Sequence, residues 1–280
     1  MNTAFITAPS IPVTQPVPRT AAVIPAYNES GRVATVVETV AQARMVDEVI
    51  VVTDGCSDTT AEEVRAVISQ LQSLIDENLM AGHGCRAVRL CELPQNIGKG
   101  GAMTYGALRT EAEVLVFLDA DLIGLRTQQV DDLLKPMLVE GAEQRADMTL
   151  GLFGAVRGGL FGWWLGYCHR TMAGLTGQRA IRREVFLAVP DLTGSRFGVE
   201  TAITRYVKTV WKLKVETAWL HGVTHPVKEE KIGLWHGFRH RINMYGEICA
   251  YVIVDTLRNN ASTQHREQAL LMRERFGNRS

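Results

Sequence analysis

Residues 113–121 read EVLVFLDAD. Val114 to Leu118 is a continuous apolar run, too short for a core helix and suited to a strand buried on both faces. It stops on the pair Asp119 and Asp121. Similar runs precede it. Thr20–Pro25 (TAAVIP) ends at a proline, Asp47–Asp54 (DEVIVVTD) ends on an aspartate, and Arg86–Leu93 follows a glycine-rich turn. Helical spacing fills the gaps. Ser30 is placed to cap a helix over about 31–43, where Val33, Val36, Val37 and Val40 recur. Asp58 is placed to cap a helix running to about Asn78, and Gly98–Thr110 reads as a turn and helix. Apolar strands alternating with helices predict an α/β fold, a Rossmann-like and mostly parallel sheet with helices on both faces.

Such sheets bind ligands at the carboxyl ends of their strands. The polar clusters Tyr27-Asn28-Glu29, Asp54-Gly55, Asn96 to Gly100 and Asp119 to Asp121 all follow strands. They are therefore expected along one edge. Beyond Asp121 a helix is expected over Thr127–Gly141 and a strand over Asp147–Phe153. Helical segments are expected at Arg182–Ala188, Val199–Val210 and Gly233–Leu257.

The 280 residues carry 30 Lys+Arg against 30 Asp+Glu, so no basic surface for a nucleic acid is expected. Hydrophobic residues at 46% support a real core and exclude large-scale disorder. No apolar run reaches the ~18 residues of a spanning helix. The opening 20 residues, rich in proline, lack the pattern of a signal peptide and read as a flexible arm over 1–19. The five scattered cysteines include no C-x-x-C, which argues against a disulfide framework or zinc site. A cytoplasmic location is the expectation, with contact at the inner face of the membrane left open.

Two carboxylates at a strand's carboxyl end, Asp119 and Asp121, suit a hard divalent cation, Mg²⁺ or Mn²⁺, that in turn holds a diphosphate. Asn96-Ile97-Gly98-Lys99-Gly100-Gly101 puts glycines at a helix start, where backbone N–H groups approach an anion and Lys99 adds charge. It matches neither a dinucleotide fingerprint nor a Walker A loop. Asp54 and Glu29 suit a base and a ribose. Asp58 reads as a helix cap rather than a ligand.

Together PAYNES (25–30), VVTDGCSDTT (51–60), NIGKGGAM (96–103) and FLDADL (117–122) resemble, in that order, the family 2 glycosyltransferases of the GT-A fold. The resemblance implies a nucleotide-sugar donor, UDP- or GDP-linked. It maps Pro25, Ala26, Glu29 and Asp54 to the nucleoside, with Tyr27 in the same motif. Lys99 goes to the donor, and Asp119 and Asp121 to diphosphate and metal. Farther on, LTGQRAIRREVF (175–186), FGVET (197–201) and VTHPVKEEKIG (223–233) are similar to two branches. One is the dolichol-phosphate mannose synthase-like polyprenyl-phosphate enzymes, the other the glucosyl-3-phosphoglycerate synthases. In the latter a late histidine completes the metal site, and His225 fits that position, with His221 as competitor.

Glycosyl transfer places negative charge on the leaving diphosphate, which the metal, Asp121 and Lys99 would manage. A hydroxyl acceptor needs a base, for which Glu200 is the candidate. A phosphate-bearing acceptor, polyprenyl phosphate or a small phosphorylated acid, calls for cations. Arg157, Arg170, Arg179, Arg182 and Arg183 lie in the expected acceptor half, with Arg157 and Arg179 as the leading pair. The chain thus divides into an arm (1–19), a nucleotide-sugar-binding half (20–122), an acceptor half (123–233) and an amphipathic helix with a polar tail (234–280). The glycine- and tryptophan-rich stretch 151–168 suits an acceptor lid or a membrane-dipping piece. The helix over 234–257 fits packing on the domain or lying at a membrane surface. The oligomeric state is open, with a homodimer among the alternatives. A sugar-nucleotide nucleotidyltransferase and a non-catalytic nucleotide-sugar-binding protein are the alternative readings. The first would need a glycine-rich, lysine- or arginine-bearing loop after the first strand.

Overall fold

A computed structural model of the chain describes residues 19–81, 84–139, 144–153, 176–190, 192 and 198–224. Four strands appear where the apolar runs predict them: β1 (Thr20–Ala26), β2 (Glu48–Asp54), β3 (Ala87–Leu93) and β4 (Val114–Phe117). The helices between them are α1 (Val33–Ala41), α2 (Thr60–Gln70), α3 (Gln72–Ala81) and α4 (Lys99–Ala107). Beyond β4 come α5 (Thr127–Leu138), β5 (Met148–Phe153), β6 (Arg179–Arg182), α6 (Arg183–Leu187), α7 (Val199–Thr204) and β7 (Val215–Leu220). A π-helical turn, Arg205–Val210, continues α7.

The seven strands form one sheet in the order β3-β2-β1-β4-β6-β5-β7. β1 pairs in parallel with both β2 and β4, and β5 with β7. Among the described strands only β6 runs against its neighbours, opposing both β4 and β5. Pro25 sits inside β1, which runs one residue past it. It lies beyond Val23, the last β1 residue paired with β4, so its missing N–H removes no ladder bond on that side.

Ala21 to Ile24 and Val49 to Val52 are wholly buried, which explains why these strands lack polar alternation. One sheet face packs α1, α2 and α5 through Val33, Val37, Val64, Leu133 and Leu134. The other packs α4, α6 and α7 through Met103, Phe186, Val199 and Ile203. Each such side chain contributes about 1.5–3 kcal/mol by leaving water. Phe117 and Phe186 meet with ring centroids 4.6 Å apart. Gly106 lets α4 rest on the sheet, because a Cβ there would lie 2.5 Å from Val23 Cγ1.

Some local expectations are corrected. Ser30 does not cap α1. The helix starts at Val33, and the Ser30 N–H is instead taken by Asp58. The single helix expected from Asp58 to Asn78 is two, separated at Leu71. β6 and β7 were not expected as strands. The expected helix at 233–257, the glycine-rich stretch from residue 154 and the N-terminal arm to residue 18 lie outside the described residues. Among the described residues no helix is long and apolar enough to cross a membrane.

Candidate active site

The parallel strands bring the four polar clusters to one edge. The turn after β1 is held by the segment after β2. Asn28 adopts φ 54° and Gly31 φ 76°. The N–H groups of four successive residues point at side chains of that segment. Asn28 N–H reaches Cys56 Sγ (3.3 Å), Glu29 N–H reaches Thr60 Oγ1 (2.9 Å), and Ser30 N–H reaches Asp58 Oδ2 (3.1 Å). Gly31 N–H reaches both Glu63 oxygens (3.0 and 2.8 Å). A run of N–H groups of this kind normally makes a concavity for an anion. Here the chain's own acceptors fill it, so this turn is not a phosphate cradle. That removes the feature a nucleotidyltransferase would need.

Asp54 ends β2 and is 3% exposed. Its carboxylate accepts the N–H groups of Ile97 (2.7 Å) and Gly98 (2.9 Å), tying the glycine loop to the strand. Gly55 makes this approach possible, since a Cβ there would lie 2.5 Å from Asn96 N. The loop delivers Lys99 at the first position of α4.

Lys99 Nζ lies 2.6 Å from Asp119 Oδ1 and 2.6 Å from Glu200 Oε1. The three side chains are part-buried, with 30%, 18% and 14% exposure. Burial works against the ammonium, but Asp119 and then Glu200 outweigh it and hold the Lys99 pKa above the ordinary lysine value. Asp119 Oδ2 accepts from Gln178 Nε2 at 2.9 Å. Gly177 closes the other side: a Cβ there would lie 2.5 Å from Asp119 Oδ2 and 2.8 Å from Lys99 Nζ. Neither Gly177 nor Gln178 was expected as a site residue. The signal available was a glycine beside a polar residue ahead of an apolar pair in GQRAI.

Tyr27 is exposed at the same edge, between buried Ala26 and part-buried Asn28. Pro25 is part-buried, and Glu29 pairs with Arg32 at 3.2 Å. Asp121 is part-buried two positions beyond Asp119. Their carboxylate oxygens are the donors that Mg²⁺ and Mn²⁺ prefer, so the residues present fit such an ion. Among the described residues no group of three His, Cys, Asp or Glu forms a metal-ligand set. His225 and Arg157 lie outside the described residues. His221 is exposed, its ring stacked on Trp219 with centroids 6.0 Å apart, and its carbonyl accepts from Arg126 and Gln129.

The arginine clamp is corrected where it is described. Arg179 is fully buried. It donates to the carbonyls of Glu200 (3.0 Å) and Thr176 and to Thr204 Oγ1 (3.3 Å). Burial pulls its pKa down to about 10, against the pull of Glu200 and Asp119, which leaves it charged at neutral pH. It braces α7 against β6 and is not open to a phosphate. Arg182 pairs with Asp147 at 2.7 Å. It sits opposite Val114, at the far edge of the sheet. Arg183 donates to the Ala107 carbonyl at 2.9 Å.

Comparison with known proteins identifies the fold and the family. The chain is 30% identical over 199 residues to the glucosyl-3-phosphoglycerate synthase of Mycolicibacterium smegmatis, covering 65% of this chain and 61% of that protein. It is 32% identical over 108 residues to the dolichyl-phosphate beta-glucosyltransferase of Drosophila melanogaster, covering 35% of this chain and 29% of that protein. Its match thus spans about three fifths of the length of the first of these relatives. The fold matches the crystal structure of glucosyl-3-phosphoglycerate synthase from Mycobacterium tuberculosis with Mn²⁺, UDP and glucosyl-3-phosphoglycerate. The TM-score is 0.58 at 22% identity, over 83% of this chain and 80% of that one. The sheet is that of the GT-A fold. The sequence model of Glycosyl transferase family 2 matches residues 21–206, more than half of the chain, and the chain belongs to that family.

Proposed function

We propose that this protein is a metal-dependent glycosyltransferase that moves a sugar from a UDP- or GDP-sugar to a phosphate-bearing acceptor. The observation that carries the reading is the chain Asp119–Lys99–Glu200 at the ligand edge. It joins the donor half (20–122) to the acceptor half (123–233). Support comes from the M. tuberculosis relative, whose structures hold Mn²⁺, UDP-glucose and phosphoglyceric acid, or Mg²⁺ and UDP.

In this reading Pro25, Ala26, Tyr27 and Glu29 line the nucleoside. Asp54 acts through the loop it holds. Asp119 and Asp121, as a D-x-D pair, with His225, would hold Mg²⁺ or Mn²⁺. That ion, when bound, supplies positive charge to the departing diphosphate. Lys99 has three donors, and two face Asp119 and Glu200, which leaves one for a diphosphate oxygen. As the bond from the sugar's anomeric carbon to the diphosphate oxygen breaks, an acceptor oxygen forms a bond to that carbon. Glu200 takes the proton of an attacking hydroxyl.

A carboxylate beside the acceptor suits a hydroxyl nucleophile and repels an attacking phosphate oxygen. This favours a small phosphorylated acid, attacking through its hydroxyl, over polyprenyl phosphate. Arg157 and Arg170 are the remaining candidates for its phosphate. A cytoplasmic location accompanies this reading. Peripheral membrane contact through 234–257 and a homodimer are separate proposals, tested by liposome flotation and by light scattering.

The deciding experiment is a transfer assay with UDP-glucose and GDP-glucose, with and without Mn²⁺, offering 3-phosphoglycerate or a short polyprenyl phosphate. Metal-dependent transfer to the phosphorylated acid is expected. Transfer only to the lipid phosphate would overturn the acceptor assignment, and transfer undiminished by chelation would overturn the metal assignment.

A further inference from the structure

The turn carrying Tyr27 and Glu29 has no regular structure of its own and includes a non-glycine residue in the left-handed region, Asn28 at φ 54°. Such a backbone persists only when its surroundings hold it. Every backbone N–H from Asn28 to Gly31 ends on a side chain of residues 56–63. The contacts are mutual. Asn28 Oδ1 accepts the Ser57 N–H at 2.8 Å, and the Cys56 thiol donates to the Ala26 carbonyl at 3.4 Å. Thr60 links the pieces, since its buried hydroxyl accepts from Glu29 and donates to Asp58 Oδ1. The Thr59 hydroxyl donates to Glu63 Oε1 at 3.1 Å.

We infer that Asp58, Thr60 and Glu63, with Cys56, form a clamp that fixes the β1–α1 turn for nucleoside binding, so that they are positioning residues for the donor. The inference rests on the proposed function, which places the nucleoside at this turn. The clamp residues need not touch the ligand. They hold the backbone of Tyr27–Glu29 in one shape before the donor arrives, and binding then loses less entropy. Asp58 and Glu63 accept five of these contacts with charged oxygens, the stronger kind of hydrogen bond.

The test uses the full chain. Backbone amide exchange is followed at residues 28–31, and UDP and GDP binding with Mn²⁺ is followed by calorimetry. Thr60→Val keeps the shape and removes the hydroxyl, Thr60→Ser restores the hydroxyl, and Glu63→Ala removes the partner of Gly31. Leu71→Ala, a core truncation away from the turn, controls for lost stability. Thr60→Val and Glu63→Ala are expected to speed exchange at 28–31 and weaken nucleotide binding by about tenfold. Thr60→Ser and Leu71→Ala should leave the affinity within about twofold of wild type. Faster exchange with unchanged nucleotide affinity would overturn the clamp's role while leaving the nucleotide site standing. Equal weakening by Leu71→Ala would reduce the effect to stability and overturn it as well. A wild-type protein that protects these amides and binds neither nucleotide would overturn the proposed function itself, and the inference with it.

Discussion

The ammonium of Lys99 and the carboxylate of Glu200 meet at 2.6 Å across 101 positions of chain. The contact ties the first turn of α4 to the first turn of α7. The same ammonium also holds Asp119, so one cation separates two carboxylates that would otherwise repel.

Replacing Lys99 with methionine removes that cation and keeps most of its volume. Asp119 and Glu200 then face each other without a counter-charge, and in the proposed reaction the leaving diphosphate would lose a donor. The expected result is a fall in kcat of about 10²-fold, the scale of losing one charge-stabilising group, with the folded CD spectrum retained. Steady-state kinetics at saturating donor measure it.

Gly177→Ala tests the packing around Asp119. The new methyl carbon would sit 2.5 Å from Asp119 Oδ2 and 2.8 Å from Lys99 Nζ, closer than atoms tolerate. Both side chains must move. Metal-dependent nucleotide binding is expected to disappear in calorimetry while the melting temperature changes little. Gln178→Leu removes only the hydrogen bond to Asp119 and should have the milder effect.

Arg179→Met takes a buried donor from the carbonyls of Thr176 and Glu200, the latter keeping only the Thr204 hydroxyl at 2.8 Å. A loss of about 3 kcal/mol of stability is expected, read by denaturant unfolding. Because Arg179 braces the start of α7, the KM for the acceptor should rise while that for the donor stays near wild type.

Acid should loosen the β1–α1 turn. Burial tends to raise the Asp58 pKa, but hydrogen bonds from the Thr60 hydroxyl and the N–H groups of Ser30 and Thr60 win and hold it below the ordinary 3.8. A carboxylate whose pKa is lowered by folding adds stability that is fully present above the unfolded value. That stability is lost as pH falls through the lower folded value. The melting-temperature gap between wild type and Asp58→Asn should be constant from neutrality to about pH 5 and shrink below pH 4. A gap that widens in acid would show that Asp58 is not held ionised.

β1 to β4 were legible because each is buried on both faces and so is written as an unbroken apolar run. β6 was not, since four residues with arginine at both ends carry no such run. β7 was hidden for another reason. It is the edge strand, and its exposed Glu216, Thr217 and Trp219 leave too little apolar length. Asp119, Lys99 and Glu200 stood out by residue type and place. Their contact did not, because nothing local joins residues that far apart in sequence. Arg179 misled for a related reason: an arginine in a motif two positions after a glycine resembles an anion ligand until β6 is known to run inside the sheet, where that arginine is enclosed.

The reversed direction of β6 has a consequence for how much change the rim tolerates. β5 finishes, and β6 starts, at the rim that holds Asp119. Gly177 and Gln178, the two residues just ahead of β6, therefore enter the sheet beside that carboxylate. A one-residue slip in the pairing of this four-residue strand would carry both away from Asp119, so strand register and rim geometry are inherited together.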